Sequence, residues 1–181
     1  IANVGKPFFL SRPRRFGKSL LISTFEAYFE GKKDLFEGLA IERLENKWEK
    51  YPVLHLDLNA RKYEQPEDLI AMLNQYLERW ETVYGTEKRD REPEERFEYV
   101  IQRAYERTGK GVVVLVDEYD KPLLQAIHNE ELLESYRVML KAFYGVLKSN
   151  DRYLRFVFLT GVTKFSQVSV FCDLNQLNDI S

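Results

Sequence analysis

The stretch Pro7-Phe-Phe-Leu-Ser-Arg-Pro-Arg-Arg-Phe-Gly-Lys-Ser-Leu20 determines the fold class almost on its own. Its first four residues form a short apolar run, the pattern of a strand. From Ser19 to Glu30 the apolar residues Leu20, Leu21, Phe25 and Phe29 recur at helical spacing until Gly31 stops them. Between strand and helix lies a basic, glycine-containing loop from Ser11 to Gly17, the context that a phosphate-binding loop requires. Gly17 lets the backbone approach phosphate oxygens, Lys18 brings an ammonium to the β- and γ-phosphates, and Ser19 offers a hydroxyl to Mg²⁺. The helix N-terminus adds unpaired N–H groups and a positive dipole end. Arg14, Arg15, Phe16, Gly17, Lys18, Ser19 and Leu20 are therefore the candidate nucleotide-binding residues.

The usual pattern G-x-x-x-x-G-K-[ST] opens with glycine, and here Arg12 takes that position. The nest of N–H groups supplied by Phe16 to Ser19 survives this change. One of Arg12, Arg14 and Arg15 is expected to meet a phosphate or a site carboxylate, because a guanidinium suits bidentate contact. The sequence does not select which, and a solvated basic turn is the alternative for each.

Downstream, Gly109-Lys-Gly111 ends one helical pattern and launches Val112-Val-Val-Leu-Val116, an apolar run without alternation. Such a run suits a strand buried on both faces in the middle of a parallel sheet. It delivers Asp117 and Glu118 to its C-terminal edge, where open α/β sheets bind ligands. Asp117 is placed to hold Mg²⁺ together with Ser19, since a hard cation takes oxygen ligands. Glu118 is placed to orient and deprotonate the attacking water, with Lys18 on the phosphates, and phosphoryl transfer relies on such positioning. Asp120, in the same turn, is a helix cap or a supporting group. Leu154-Arg-Phe-Val-Phe-Leu159 is a further strand, and Thr160 after it is expected either to reach the γ-phosphate or the water or to satisfy backbone groups of the turn; Thr163 is a second candidate.

The remaining pattern alternates in the same way. Val53 to Leu58 reads as a strand, Pro66 to Tyr84, Glu94 to Thr108 and Glu130 to Leu147 read as helices, and strands separated by helices imply βαβ units in an α/β domain. Asp57 reads as a loop or capping residue, His55 as a satisfied core residue and His128 as exposed. With 181 residues, 44% of them hydrophobic, the chain is read as one domain, 1–181.

Composition excludes several classes. Lys and Arg total 27 against 29 for Asp and Glu, so no global basic field points to nucleic acid, although a local patch stays open. A single cysteine, Cys172, allows no internal disulfide and fits a reducing, cytoplasmic setting. No apolar run is long enough to span a bilayer. No Asn-Lys-x-Asp motif follows the strands, which disfavours GTP, and base identity is otherwise unreadable. The chain begins at Ile1 and is expected to be a fragment of a longer protein.

The opening stretch, together with Tyr28-Phe-Glu-Gly31, Pro52-Val-Leu-His-Leu-Asp57, Val116-Asp-Glu-Tyr-Asp-Lys-Pro122 and Leu159-Thr-Gly-Val-Thr-Lys-Phe165, resembles the bacterial predicted AAA-ATPase-like family. The Pro-Arg-Arg-x-Gly-Lys portion is also similar to archaeal-type ATPases related to the STAND signalling NTPases. The resemblance implies a three-layer P-loop NTPase sheet of the additional-strand, conserved-Glu type. In that sheet the strand carrying Thr160 lies between the phosphate-loop strand and the acidic strand. Members often carry a C-terminal nuclease-like domain, whose catalytic pattern is not visible in this sequence. The chain is expected to be truncated at its C-terminal end, before any fifth strand or helical lid that would supply an arginine.

The expected activity is ATP binding and Mg²⁺-dependent hydrolysis that drives or gates a partner domain, in a monomer or a homo-oligomer. A nucleotide-dependent switch or scaffold with negligible turnover is the alternative, and a small-molecule kinase is third.

Overall fold

A computed structural model of the chain describes residues 7–13, 15–86, 91–162 and 178–181. Its strands are β1 (Phe8–Ser11), β2 (Val53–Asp57), β3 (Val112–Asp117), β4 (Leu154–Gly161) and β5 (Asn178–Asp179). Its helices are α1 (Lys18–Phe29), α2 (Ala40–Leu44), α3 (Pro66–Tyr84), α4 (Pro93–Thr108), α5 (Lys121–Gln125) and α6 (Glu130–Ser149). The strands make one five-stranded parallel sheet in the order β2-β3-β4-β1-β5, a mixed α/β architecture consistent with a Rossmann-like or P-loop fold. β4 therefore lies between β1 and β3, as the resemblance implies.

Every residue of β3 is buried, and the reason is visible in how its side chains divide. Val113 and Leu115 join Ile22 and Phe29 of α1 in the core on one face. Val112, Val114 and Val116 join α3, α4 and α6 in the core on the other. A strand with helices on both faces has no solvent side to alternate toward, hence its unbroken valine-rich run. The two faces make the outer layers of a three-layer domain.

Local chemistry sets the helix ends. Gln65 with Asp68, and Glu92 with Glu95, close capping boxes at the starts of α3 and α4, each followed by proline at the first helical position. α3 and α4 are joined by a buried pair in which Arg96 Nε and Nη2 each donate at 2.8 Å to the Glu81 carboxylate, while Nη1 donates to Asn74 Oδ1 at 2.6 Å.

Two expectations are corrected. The chain does not stop before a fifth strand: Asn178 and Asp179 pair in parallel with Phe8 and Phe9. This strand is two residues long and polar, so it has no hydrophobic period to reveal it. His55 is half-buried rather than a core residue, because β2 is an edge strand of the described sheet; its Nδ1 lies 3.1 Å from Glu26 Oε2 on α1. His128 is exposed, as expected. Thr163, Cys172 and Arg14 lie outside the described residues. No helix among the described residues is long and apolar enough to cross a membrane.

Candidate functional site

The loop after β1 reaches α1 through two residues in the left-handed region, Arg15 (φ 67°) and Gly17 (φ 76°). Gly17 is the N-cap of α1, where its missing Cβ relieves the strain that other residues meet at positive φ. No side chain caps this helix and no acidic residue stands in its first turn, so its positive end is left for an external anion. Lys18, the first helical residue, is only 4% exposed. Its ammonium donates to the carbonyls of Arg12 (2.8 Å) and Pro13 (3.2 Å) and stands 3.1 Å from Glu118 Oε1.

Glu118 arrives from the opposite side of this contact. The residue after β3 takes φ 55°, an unusual conformation for a non-glycine residue that costs about 1–3 kcal/mol. Three bonds to the backbone maintain it. The Glu118 N–H donates to Thr160 Oγ1 (3.2 Å), the Tyr119 N–H to the Thr160 carbonyl (2.9 Å), and the Lys121 N–H to the Glu118 carbonyl (2.9 Å). The turn is further fastened to the end of β4 by Asp120, which is fully buried and accepts from the Val162 N–H at 3.0 and 3.2 Å. Tyr119 packs edge-on against Phe9, with ring centroids 5.4 Å apart, in space that Gly161 leaves open. A Cβ at Gly161 would lie 2.4 Å from Tyr119 Cε1.

Asp117 and Thr160 form the layer behind Glu118. Thr160 has no exposed surface, and its hydroxyl donates to Asp117 Oδ1 at 2.5 Å. The hydroxyl therefore emerges at the edge shared with Asp117, as expected, but its described contacts are with Asp117 and the Glu118 backbone. Thr160→Val is accordingly expected to lower stability by about 1–3 kcal/mol, because it leaves a buried carboxylate one donor short. Urea unfolding of both proteins measures this, and an unchanged midpoint would mean the bond contributes nothing.

These elements enclose a cleft of about 360 Å³ lined by Arg15, Gly17, Lys18, Ser19, Leu20, Asn59 and Glu118. Of the residues singled out in the sequence, five from the loop and helix entry thus meet Glu118 in one cavity. Phe16 belongs to the same loop but is 65% exposed and is not among the lining residues. Asn59 was missed. It follows β2, whose Asp57 pairs in register with Asp117, so the turns after β2 and β3 come side by side. Its signal is a polar residue directly after an apolar strand. Asp57 caps this turn by accepting from the Asn59 N–H at 2.8 Å, in keeping with its expected capping role. Tyr63 pins the turn by donating to the Leu58 carbonyl at 2.8 Å; burial, and next the Asp57 charge, push its phenol well above the ordinary value, so it stays a donor.

The oxygen donors suit a magnesium ion shared with a bound phosphate better than one held by protein alone. Ser19 lines the cleft with a hydroxyl, whereas the Asp117 carboxylate, 4% exposed and bonded to Thr160, lies behind Glu118 and is not among the lining residues, and no group of three or more His, Cys, Asp or Glu residues among those described could form a metal site. Mg²⁺ characteristically binds one or two carboxylates together with substrate phosphates and water.

Comparison with known proteins identifies the family. The family model described as "Predicted AAA-ATPase" matches residues 1–171. A protein of Azotobacter chroococcum mcd 1, named "Uncharacterized protein in vnfD 5'region", is 40% identical over 180 residues, which make up 98% of this chain and 34% of that protein. The chain thus spans about a third of that relative's length. No solved structure matches significantly.

Proposed function

The chain belongs to the predicted AAA-ATPase family, and from that premise we propose that it binds ATP in the cleft at the start of α1 and hydrolyses it in a Mg²⁺-dependent reaction. The observation that carries this reading is the 3.1 Å approach of Lys18 Nζ to Glu118 Oε1, which joins the phosphate-loop cation to the acidic strand end across one cavity. The strand order, with β4 between β1 and β3, supports an additional-strand, conserved-Glu P-loop sheet.

The N–H groups entering α1 and the Lys18 ammonium hold the β- and γ-phosphates, exchanging some of the lysine's present carbonyl contacts for phosphate oxygens. Ser19 and Asp117 would hold Mg²⁺, which when bound neutralises charge on the phosphate oxygens. Glu118 orients the attacking water and accepts its proton. Thr160 acts through Asp117 and the Glu118 backbone, as a positioning residue. Hydrolysis drives or gates a partner domain, a reading supported by a relative of which this chain spans only 34%.

A nucleotide-dependent switch with negligible turnover is the second reading, and the Lys18–Glu118 contact favours it too. While Glu118 Oε1 is held against the Lys18 ammonium it is occupied, and a phosphate that draws the ammonium away frees it to position the water. Both readings require Lys18 for binding. Lys18→Ala is expected to weaken ATP affinity roughly ten- to hundred-fold, the value of a charged hydrogen bond lost. Calorimetric titration of the folded variant tests this, and unchanged affinity would remove the cleft from consideration as a phosphate site.

A further inference from the structure

We propose that Arg15 is the catalytic arginine of this hydrolysis, supplied from within the phosphate loop of the same chain; the inference rests on the ATPase reading above. Three basic loop residues compete for such a role in the sequence, and the geometry separates the two that are described, Arg12 and Arg15. Arg15 lines the cleft beside Lys18, Ser19 and Glu118, whereas Arg12 does not. Arg12 instead serves the loop through its backbone: its carbonyl accepts from Lys18 and its N–H donates to the Gly161 carbonyl at 3.2 Å. Arg14 lies outside the described residues.

Two further features of Arg15 point to a ligand. Its backbone is held at φ 67°, a conformation that glycine adopts at much lower cost, yet an arginine stands there. Its guanidinium, like that of Arg12, has no hydrogen bond or ion pair to another described residue and is available to a ligand, and of the two Arg15 alone lines the cleft. Arg15 is exposed where Lys18 is buried. The two cations therefore divide the cleft, with Lys18 at its floor and Arg15 at its rim.

This division matches what the reaction needs. The water oxygen bonds to the γ-phosphorus, its proton passes to the Glu118 carboxylate, and the bond from the γ-phosphorus to the bridging oxygen breaks with its electron pair left on ADP, giving ADP and inorganic phosphate. Charge builds on the bridging oxygen and spreads over the transferred group in the transition state. A guanidinium at the cleft rim offers two parallel donors to those oxygens, which a lysine's single ammonium cannot reproduce. Hydrolysis would then proceed within one chain, and the arginine expected from a missing segment or another subunit would not be required.

The test compares wild type, Arg15→Ala and Arg15→Lys for steady-state turnover over a range of protein concentrations. It also compares their affinities for ADP with and without aluminium fluoride, a mimic of the transferring phosphoryl group. Arg15→Ala is expected to lower kcat by roughly 10³-fold or more, to change ATP affinity far less, and to abolish most of the tightening of ADP by aluminium fluoride. Arg15→Lys should recover little of either, and wild-type rate per chain should not vary with concentration. ATP hydrolysis that Arg15→Ala leaves intact overturns the role of Arg15 alone. So does a wild-type rate per chain that rises steeply with concentration while the variant follows it. If wild type binds ATP without turning it over, the aluminium fluoride comparison decides the role of Arg15 by itself. If wild type binds no nucleotide, the ATPase reading and the arginine fall together.

Discussion

Glu118→Gln is expected to leave ATP binding in place and to lower turnover by roughly 10² to 10⁴ fold, the usual contribution of a general base. The substitution keeps the size of the side chain and an oxygen that can still accept from Lys18, so the 3.1 Å contact across the cleft need not open. The left-handed turn is also retained, because its hydrogen bonds come from the backbone and from Thr160. What disappears is the proton acceptor. The negative charge that competes with phosphate for Lys18 disappears with it, so ATP affinity should hold or rise. That combination separates a lost base from a damaged site, in which affinity and turnover would fall together. Calorimetry and phosphate release, run over a range of protein concentrations, give both numbers. Equal rates in wild type and variant would show that Glu118 is not the base. Binding by both proteins with hydrolysis by neither would put the switch reading first.

The sequence made half of this cleft legible for a physical reason: the residues proposed to bind phosphate are local. Gly17, Lys18 and Ser19 are consecutive, and their meaning depends only on a strand before them and a helix after. Glu118 was equally readable, because the valine-rich run from Val112 announces a buried central strand and strands of that kind deliver their last residues to the ligand edge, although Asp117 of the same strand end lies behind it and does not line the cleft. The parts that failed are those that depend on contacts between distant segments. Asn59 reaches the cleft only because β2 pairs with β3 in a register that aligns Asp57 with Asp117. The space that Gly161 leaves for Tyr119 joins positions that no local pattern connects. Thr160 was found as a polar residue at a strand end with a turn-backbone role as one alternative, yet that its partners are Asp117 and the Glu118 N–H could not be read from that. The choice between Arg12 and Arg15 likewise required knowing which of them faces the cavity. The fold shows the same division. Long periodic elements such as α3 and α6 were visible in the sequence, while the two-residue β5 owes its existence wholly to β1.

The other large effect lies away from the cleft, in the pair that holds α3 to α4. Arg96→Ala is expected to lower stability by about 3–5 kcal/mol, the range for breaking a buried ion pair from one side. Glu81 and Arg96 are 4% and 5% exposed, so removing the guanidinium strands a carboxylate where water cannot replace it. Asn74, which also accepts from Arg96, is half-buried and can turn toward solvent, so most of the loss falls on Glu81. In a chain of 181 residues such a loss corresponds to a drop of roughly 6–20 °C in Tm. The double variant Glu81→Leu/Arg96→Met distinguishes the cost of a stranded charge from the worth of the pair. Two apolar side chains of similar bulk remove the desolvation penalty along with the attraction, and such replacements are often neutral or stabilising. Its Tm should therefore return close to wild type. If the double variant is as unstable as Arg96→Ala, the bidentate bonds themselves hold α3 against α4, and the stranded carboxylate is not the cause.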